Sequence, residues 1–509
     1  MKVQQYHIDL WTLHMLQQAT QFFTDNQQQA YLVGGSIRNL LLHEPCPDWD
    51  IVTTGDFSKL ARQLANRLGG FYAYMHARAS RITVKHEQQE LVIDISPLHG
   101  NTIEADLRER DFTINAIASE LPDAVQSLTQ GNSLNLIDPL NGQADIQARI
   151  LRAVSDDIFK RDPLRMLRAV RFMMRYHLTI ESKTEKMLVR DAPTLLKAAP
   201  ERIHDEFYAI LSPTGASDRL RFLDSHGLLT VLMPEFIPAR GMPQPSLHHW
   251  DVLDHSLQSP AALERLTTTL HQSPEEVQRS PLAHGQNDLL ELQQLLQEAD
   301  QQGVFKLATM TSPPMKLATL LHDIGKTVTY VVNGDGHITF YHHPQAGVPL
   351  AQQIMKRLNL STNDRRLVQQ VVAHHMRPGL LSAEKVTDRA IRRYFVDLGP
   401  TGINVALVSL ADHLAMRGPD ELTESWDRHL STVRLLLTRY IRERERILPP
   451  RLIQAEELMR RLNLQPGPLV GKLLEYIAEA QAEGRVHSKE DALWVAQEQL
   501  QQSQPHPEG

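Results

Sequence analysis

The stretch YLVGGSIRNLLLHEPCPDWDIVTTG (31–55) decides the fold of the first part of the chain. YLVGG (31–35) and WDIVTTG (49–55) are short, β-branched and bounded by polar residues or glycine, which predicts two strands. Between them SIRNLLLH (36–43) has helical spacing. A strand, a Gly34-Gly35-Ser36 turn, a helix carrying Arg38 and a second strand opening on Asp48-x-Asp50 thus follow one another. Backbone N–H groups at a glycine turn can approach phosphate oxygens, and a helix N-terminus adds positive potential. Residues i and i+2 of a strand share a face, so Asp48 and Asp50 can hold divalent cations jointly. Together these features describe metal-assisted nucleotidyl transfer, in which a hydroxyl attacks a triphosphate and pyrophosphate leaves. Taken singly, the glycines are also a plain turn and D-x-D a solvated loop end; the ordered pair on neighbouring strands favours chemistry.

Working outward, RITVKH (81–86) and ELVIDIS (90–96) add two strands, and FSKLARQLANRLGG (57–70) a helix stopped by Gly69-Gly70. Asp94 lies inside the apolar ELVIDIS, where an ionisable group needs a partner. That partner is either a metal, making Asp94 a third catalytic carboxylate, or a salt bridge. In LRERDFTINAIA (107–118), Arg110 suits a triphosphate, Asp111 a ribose hydroxyl or a helix N-cap, and Asn115 either nucleotide group. Asp138-Pro139 and Gly142 form a turn with a structural role.

From about residue 145 strand signals nearly vanish and amphipathic helices follow one another. FIPARGMPQPS (236–246) and Pro449-Pro450 mark breaks, and QSQPHPEG (502–509) a frayed tail. The fold class expected is α+β: a small mixed α/β head followed by an all-α body. Its parts are a head at 1–145, a helical neck at 146–240, a metal-binding body at 241–445 and a helical tail at 446–509.

The 509 residues carry a net charge of −7 and one cysteine, Cys46. A lone cysteine excludes a disulfide-stapled secreted fold, and with no basic leader and no long apolar run the expectation is a cytoplasmic protein without a membrane span. The charge argues against indiscriminate coating of nucleic acid. Yet 149–202 holds 13 Lys+Arg against 7 Asp+Glu. Arg161, Arg165, Arg168 and Arg175 recur at helical spacing, a basic face expected, with Arg171, to contact RNA beside the head.

The body carries a second constellation. HHWDVLDH (248–255) ends on His255, LATLLHDIGK (317–326) contains His322-Asp323, and FYHHPQAG (340–347) offers His343. VVAHHMRP (371–378) offers His374 and His375, and LADHLAMRG (410–418) offers Asp412. Imidazole and carboxylate together suit a divalent transition-metal or mixed-metal site with positions open to water.

GGSIRN…DWD, RERDFTINAIA, DPLNGQADI, RDPLRMLRAVRF and ERIHDEF, in that order, resemble the class II tRNA nucleotidyltransferase (CCA-adding enzyme) and bacterial poly(A) polymerase family. The resemblance implies a template-independent polymerase acting on tRNA with CTP and ATP. Mg²⁺ would sit on Asp48 and Asp50, and the nucleotide on Gly34, Gly35, Ser36, Arg38, Arg110, Asp111 and Asn115. Asp162 and Arg165 match the last two positions of the family's E-D-x-x-R motif, which reads the base edge. Three positions depart from the pattern: Asn39 stands for Asp in G-G-x-V-R-D, Glu109 for the first Arg of R-R-D-F-T, and Arg161 for the Glu of E-D-x-x-R. Addition of CC alone or of A alone, as in bacteria that divide the task, is the same chemistry. The histidine–aspartate pattern resembles the HD superfamily of metal-dependent phosphohydrolases. It implies His255, His322, Asp323 and Asp412 as basic ligands, His343 and His374 as additional ones, and Mn, Ni, Fe or Mg as the metal. Lys326 is then a phosphate contact, and a phosphohydrolase with an RNA-binding head is the competing reading. The tail LNLQPGPLVGKLLEYIAEAQAEGRVHSKEDALWV (462–495) resembles the C-terminal segment of CCA-adding enzymes that carry an HD domain.

Overall fold

Alternation along the strands builds the head. In the computed structural model, which describes residues 8–76, 79–283, 287–383 and 386–502, strand β4 (Ala79–His86) buries every second residue and β5 (Gln89–Pro97) does likewise. Ile82, Ile93 and Ile95 are fully buried, as is Ile51 of β2 (Trp49–Thr53). The residues between them point to the opposite face. With β1 (Ala30–Val33), β3 (Phe71–His76) and β6 (Ala118–Glu120), these strands form one six-stranded sheet of order β3-β4-β5-β2-β1-β6. All neighbours are antiparallel except β2 and β5, which run parallel.

Helices α1 (Leu10–Asp25), α2 (Gly34–Leu42) and α3 (Phe57–Leu68) complete the first half of the head. Asp56 caps α3 by accepting from the Lys59 N–H, and Gly69 ends it at φ 67°, the stop expected from Gly69-Gly70. Its buried Leu60, Ala61, Leu64, Ala65 and Leu68 form one stripe, packed on β4 and β5. Next come α4 (Ile103–Arg108), α5 (Leu121–Gln130), α6 (Gly142–Gln147), α7 (Ile158–Arg161) and α8 (Arg165–Arg175). Two strands of the six-stranded sheet lie outside those expected, FYAYMH of β3 and the three-residue β6, as does the short parallel pair Ile150–Leu151 with Thr179–Ile180. The basic face is not one helix either. Asp162, at φ −145°, ends α7, and α8 begins at Arg165. Proline at 163 disfavours helical backbone at the residue before it, which is where the break falls.

The chain forms two compact units, residues 1–199 with 226–228, and 200–225 with 229–509. The division falls at Ala199/Pro200, inside the stretch expected as a neck. The second unit is helical; among its described residues the only strands are the pairs Val331–Val332 and Ile338–Thr339. Its last three helices enclose a small core of their own, with Leu458, Leu473, Ile477, Ala492 and Val495 buried. The residues expected as a frayed tail lie, from 503 on, outside the described residues. Among the described residues no single helix is long and apolar enough to cross a membrane.

Candidate functional site

In the head, strand register brings the carboxylates together. Asp50 of β2 pairs with Asp94 of β5, and Asp94 in turn with Arg81 of β4. Side chains opposite one another share a face, so Asp50, Asp94 and Arg81 stand side by side on the face away from α3. Arg81 clamps Asp94 with two hydrogen bonds (Nε–Oδ1 2.8 Å, Nη2–Oδ2 2.7 Å) and reaches within 3.9 Å of Asp48 Oδ2. Of the two partners expected for Asp94, a salt bridge is therefore formed here, while its place beside Asp50 keeps it at the carboxylate cluster. Burial and the neighbouring Asp48 push the Asp50 carboxyl up to about 6. Burial and like charge both disfavour a second anion, and a cation between the two relieves both; the donor set is hard oxygen, as Mg²⁺ requires.

The glycine turn lies against this cluster. Gly34 has φ +61°, and a Cβ there would stand 2.6 Å from Arg110 Nη1. Gly35 N–H donates to Asp50 Oδ2 at 3.0 Å. Ser36 does not present a free hydroxyl: its Oγ accepts from the Asp50 N–H at 2.7 Å, tying the turn to β2. Arg110, aimed at the turn, is steadied by Asp106 through Nε and Nη2, each 3.1 Å from Oδ2.

Arg38 is buried and held by neutral acceptors. It donates to Asn39 Oδ1 (Nη2, 2.9 Å), to the Tyr176 hydroxyl (2.8 Å) and to Asn115 Oδ1. Its guanidinium lies 5.0 Å from the Phe172 ring centre and 4.6 Å from that of Tyr176. With Asn39 in place of Asp, no carboxylate among the described residues hydrogen-bonds this cation, and burial lowers its pKa. Asp111 is buried too and accepts from the Phe112 N–H, from Asn115 Nδ2 and from Arg168. Burial opposes its ionisation, yet Arg168 and Asn115 hold it down to about 2. Arg165 donates to the carbonyls of Glu109 (3.0 Å) and Arg110 (3.3 Å), and Arg161 pairs with Glu109 (2.8 Å) and Asp157 (2.7 Å). Of the arginines expected on RNA, Arg161 and Arg168 thus engage carboxylates of the head, and Arg171 and Arg175 lie over the rings of Phe172 and Tyr176. Carboxylates placed within reach by the fold compete with RNA phosphates for these guanidiniums, which spacing along one helix does not register. Arg81, Asp106 and Tyr176 carry no motif signal; only the alternation of β4, with Arg81 on its polar face, points to one of them.

In the body, six side chains converge. His255, His322, Asp323 and Asp412 form one group able to hold a metal, and Asp323, His343 and His375 a second. Asp323 belongs to both. Its Oδ2 lies 3.4 Å from His255 Nε2 and 3.3 Å from His322 Nε2, its Oδ1 3.2 Å from His343 Nε2 and 3.4 Å from His375 Nε2. Asp412 Oδ1 closes the first group, 3.0 Å from His255 Nε2 and 3.3 Å from His322 Nε2. The structure thus brings His375, not His374, into the cluster. Val368, Val371 and Val372 mark the buried stripe of that helix, and 375 continues it at helical spacing while 374 falls beside it.

The imidazoles are poised for a cation. Nδ1 of His322, His343 and His375 lies 2.7, 2.8 and 3.1 Å from the carbonyl of the residue three positions earlier, so each Nδ1 carries the proton and each Nε2 a lone pair. Two such lone pairs then face each other at 3.3 Å (His343–His375), which only a shared cation or proton makes favourable, and His255 Nε2 lies 3.2 Å from His322 Nε2. Burial alone depresses His322, but Asp323 and Asp412 push it up to about 10, the mark of a place that calls for positive charge. Gly325 of the HDIGK segment allows the approach: a Cβ there would meet the His343 carbonyl at 2.0 Å. Lys326 Nζ lies 2.5 Å from Asp323 Oδ2 and donates to Gln244 Oε1 at 2.7 Å.

Comparison with known proteins returns three family descriptions: "Poly A polymerase head domain" over 30–152, "Probable RNA and SrmB- binding site of polymerase A" over 177–240, and "HD domain" over 307–417. The chain is 33% identical to the A-adding tRNA nucleotidyltransferase of Deinococcus radiodurans, covering 91% of this chain and 94% of that one. It is 29% identical to the CC-adding tRNA nucleotidyltransferase of Thermus thermophilus, with 91% and 92% covered. A solved apo CCA-adding enzyme shares the fold at TM-score 0.62 and 19% identity, over 98% of this chain and 96% of that one.

Proposed function

The chain belongs to the tRNA nucleotidyltransferase family, and on that footing we propose that it builds the CCA end of tRNA from CTP and ATP without a template, in the cytoplasm. The observation that carries this reading is the cluster of Asp48, Asp50 and Asp94 beneath the Gly34-Gly35 turn, with Arg110 aimed at the same turn. Asp48 and Asp50 would hold Mg²⁺, which would supply positive charge to the triphosphate and acidify the attacking 3′-hydroxyl. Arg110 binds the phosphates and directs the pyrophosphate away, while the Gly34 and Gly35 N–H groups, given to the Ile117 carbonyl and to Asp50 Oδ2, hold the turn against the carboxylates. Arg38, uncompensated by any hydrogen-bonded carboxylate, adds positive potential from below. Asp111 and Asn115 orient the sugar, and Asp162 and Arg165 offer an acceptor and donors to the base edge. Arg81 holds Asp94 in the carboxylate row.

A second reading, addition of the terminal A alone, is favoured by the full-length likeness to the A-adding relative. Incubation with tRNA lacking CCA, lacking only A, or complete, with Mg²⁺ and labelled CTP or ATP, separates the readings. Incorporation of both nucleotides into the first substrate is expected; incorporation of ATP into the second with no incorporation of CTP into the first establishes the A-adding enzyme. Asp48→Asn/Asp50→Asn is expected to lose at least about 1,000-fold in rate. Incorporation by the wild type equal to that of this variant sinks both.

For the body we propose a metal-dependent phosphohydrolase with Mn, Ni, Fe or Mg at the paired groups and Lys326 on the substrate phosphate. Phosphate release that survives His322→Ala overturns it.

A further inference from the structure

Three guanidiniums grip three consecutive residues of the head. Arg161 binds the Glu109 carboxylate, Arg165 the carbonyls of Glu109 and Arg110, and Arg168 the Asp111 carboxylate. The last contact is largely buried, and the middle one uses backbone that any sequence offers. Only the first joins two half-exposed side chains, 40% and 59% accessible, where an ion pair adds little stability. Both its residues depart from the family motifs, and they depart in opposite senses: Glu109 stands for Arg, Arg161 for Glu. Their 2.8 Å contact makes the two departures one exchange of charge that keeps the pair.

We infer that Glu109 and Arg161 are a positioning pair that sets nucleotide choice by holding the backbone into Asp162, and that their charges are interchangeable. An RNA phosphate would attract Arg161 and repel Glu109, so a contact with RNA gives no reason for the two signs to reverse together. Asp162 follows Arg161 directly and leaves the helix in extended backbone, at φ −145°. Its carboxylate accepts from the Leu164 N–H at 3.2 Å, and the backbone that carries it follows residue 161 without a break. The inference rests on the base-reading role proposed for Asp162 and Arg165.

Charge reversal tests it. Arg161 also binds Asp157, so every arm carries Asp157→Asn to remove the repulsion that a glutamate at 161 would meet. Glu109→Arg and Arg161→Glu, each alone, are expected to lower kcat/KM about tenfold and to shift the CTP-to-ATP preference. Glu109→Arg/Arg161→Glu is expected to return both to within about twofold of the parent. Arg161→Lys, which keeps the charge, is expected to keep the preference. A double reversal no better than the poorer single variant overturns the inference. So do effects that add instead of compensating and track the Kd for tRNA, because they assign Arg161 to RNA. An unchanged preference in Asp162→Ala refutes the base-reading role itself, whatever the reversal series gives.

Discussion

At the scale of single residues, a methyl group at position 34 tests the phosphate cradle. Gly34→Ala puts a Cβ 2.6 Å from Arg110 Nη1 at a φ of +61°. It is expected to cost about 1–2 kcal/mol in stability and to raise the KM for nucleotide about tenfold, both measurable by thermal melts and initial rates. Cys46 tests the opposite kind of prediction, inertness. Burial pushes its thiol up to about 12. The thiolate is therefore scarce below that pH, and iodoacetamide at pH 8 is expected to alkylate the native protein far more slowly than the urea-unfolded chain, as mass spectrometry would show. Much of this scale was legible in advance. Gly34, Asp48, Asp50 and Arg110 announce themselves by type and spacing. Arg81 and Tyr176 do not, because each acts through a partner far along the chain, about which local spacing carries no information; Asp106, four residues before Arg110, was within reach of spacing and was missed.

At the scale of elements, the contrast is between strands and helices. Four of the six head strands follow from alternation and β-branched composition. FYAYMH of β3 is an edge strand with Phe71, Ala73, Tyr74 and Met75 all exposed, so no alternation marks it, and β6 is too short to carry a period. Helical faces mislead in a different way. The arginines from 161 to 175 share a spacing, but Pro163 divides them between α7 and α8 and the head claims two of them. His375 was readable from the valine stripe before it. Gly325 offers the test here: Gly325→Ala would set a Cβ 2.0 Å from the His343 carbonyl and 2.6 Å from the Gly347 nitrogen. The helix His343–Arg357 must then withdraw, and metal analysis is expected to find loss at the Asp323–His343–His375 group, with the His255–His322–Asp412 group better preserved.

At the scale of the molecule, the residues proposed for nucleotidyl transfer and those proposed for phosphate release fall in different units and do not overlap. Asp323→Asn removes the ligand common to both metal groups, so phosphate release is expected to vanish while CTP and ATP incorporation stays within about threefold. Chelation is expected to lower the melting midpoint of the second unit reversibly, since a ligand at 100 times its Kd adds about 2.7 kcal/mol to the folded state. A midpoint unmoved by chelator and by added Mn²⁺ counts against metal at this cluster. The net charge of −7 takes a different meaning at this scale. Much of the basic excess of 149–202 is already engaged, through Arg152, Arg161, Arg168 and Arg190, by carboxylates of the first unit. The salt dependence of tRNA binding is therefore set by fewer cations than the sequence contains.

The parallel pairing of β2 with β5 also dictates when the head becomes competent. β3 and β4 lie between them in sequence, so Asp94 meets Asp50 only after the β3–β4–β5 meander has formed and swung back along β2. Non-local parallel pairings form late because loop closure precedes their reward. A chain emerging during synthesis therefore exposes Asp48 and Asp50 well before their carboxylate neighbour arrives, and gains its row of carboxylates only once β5 has paired with β2.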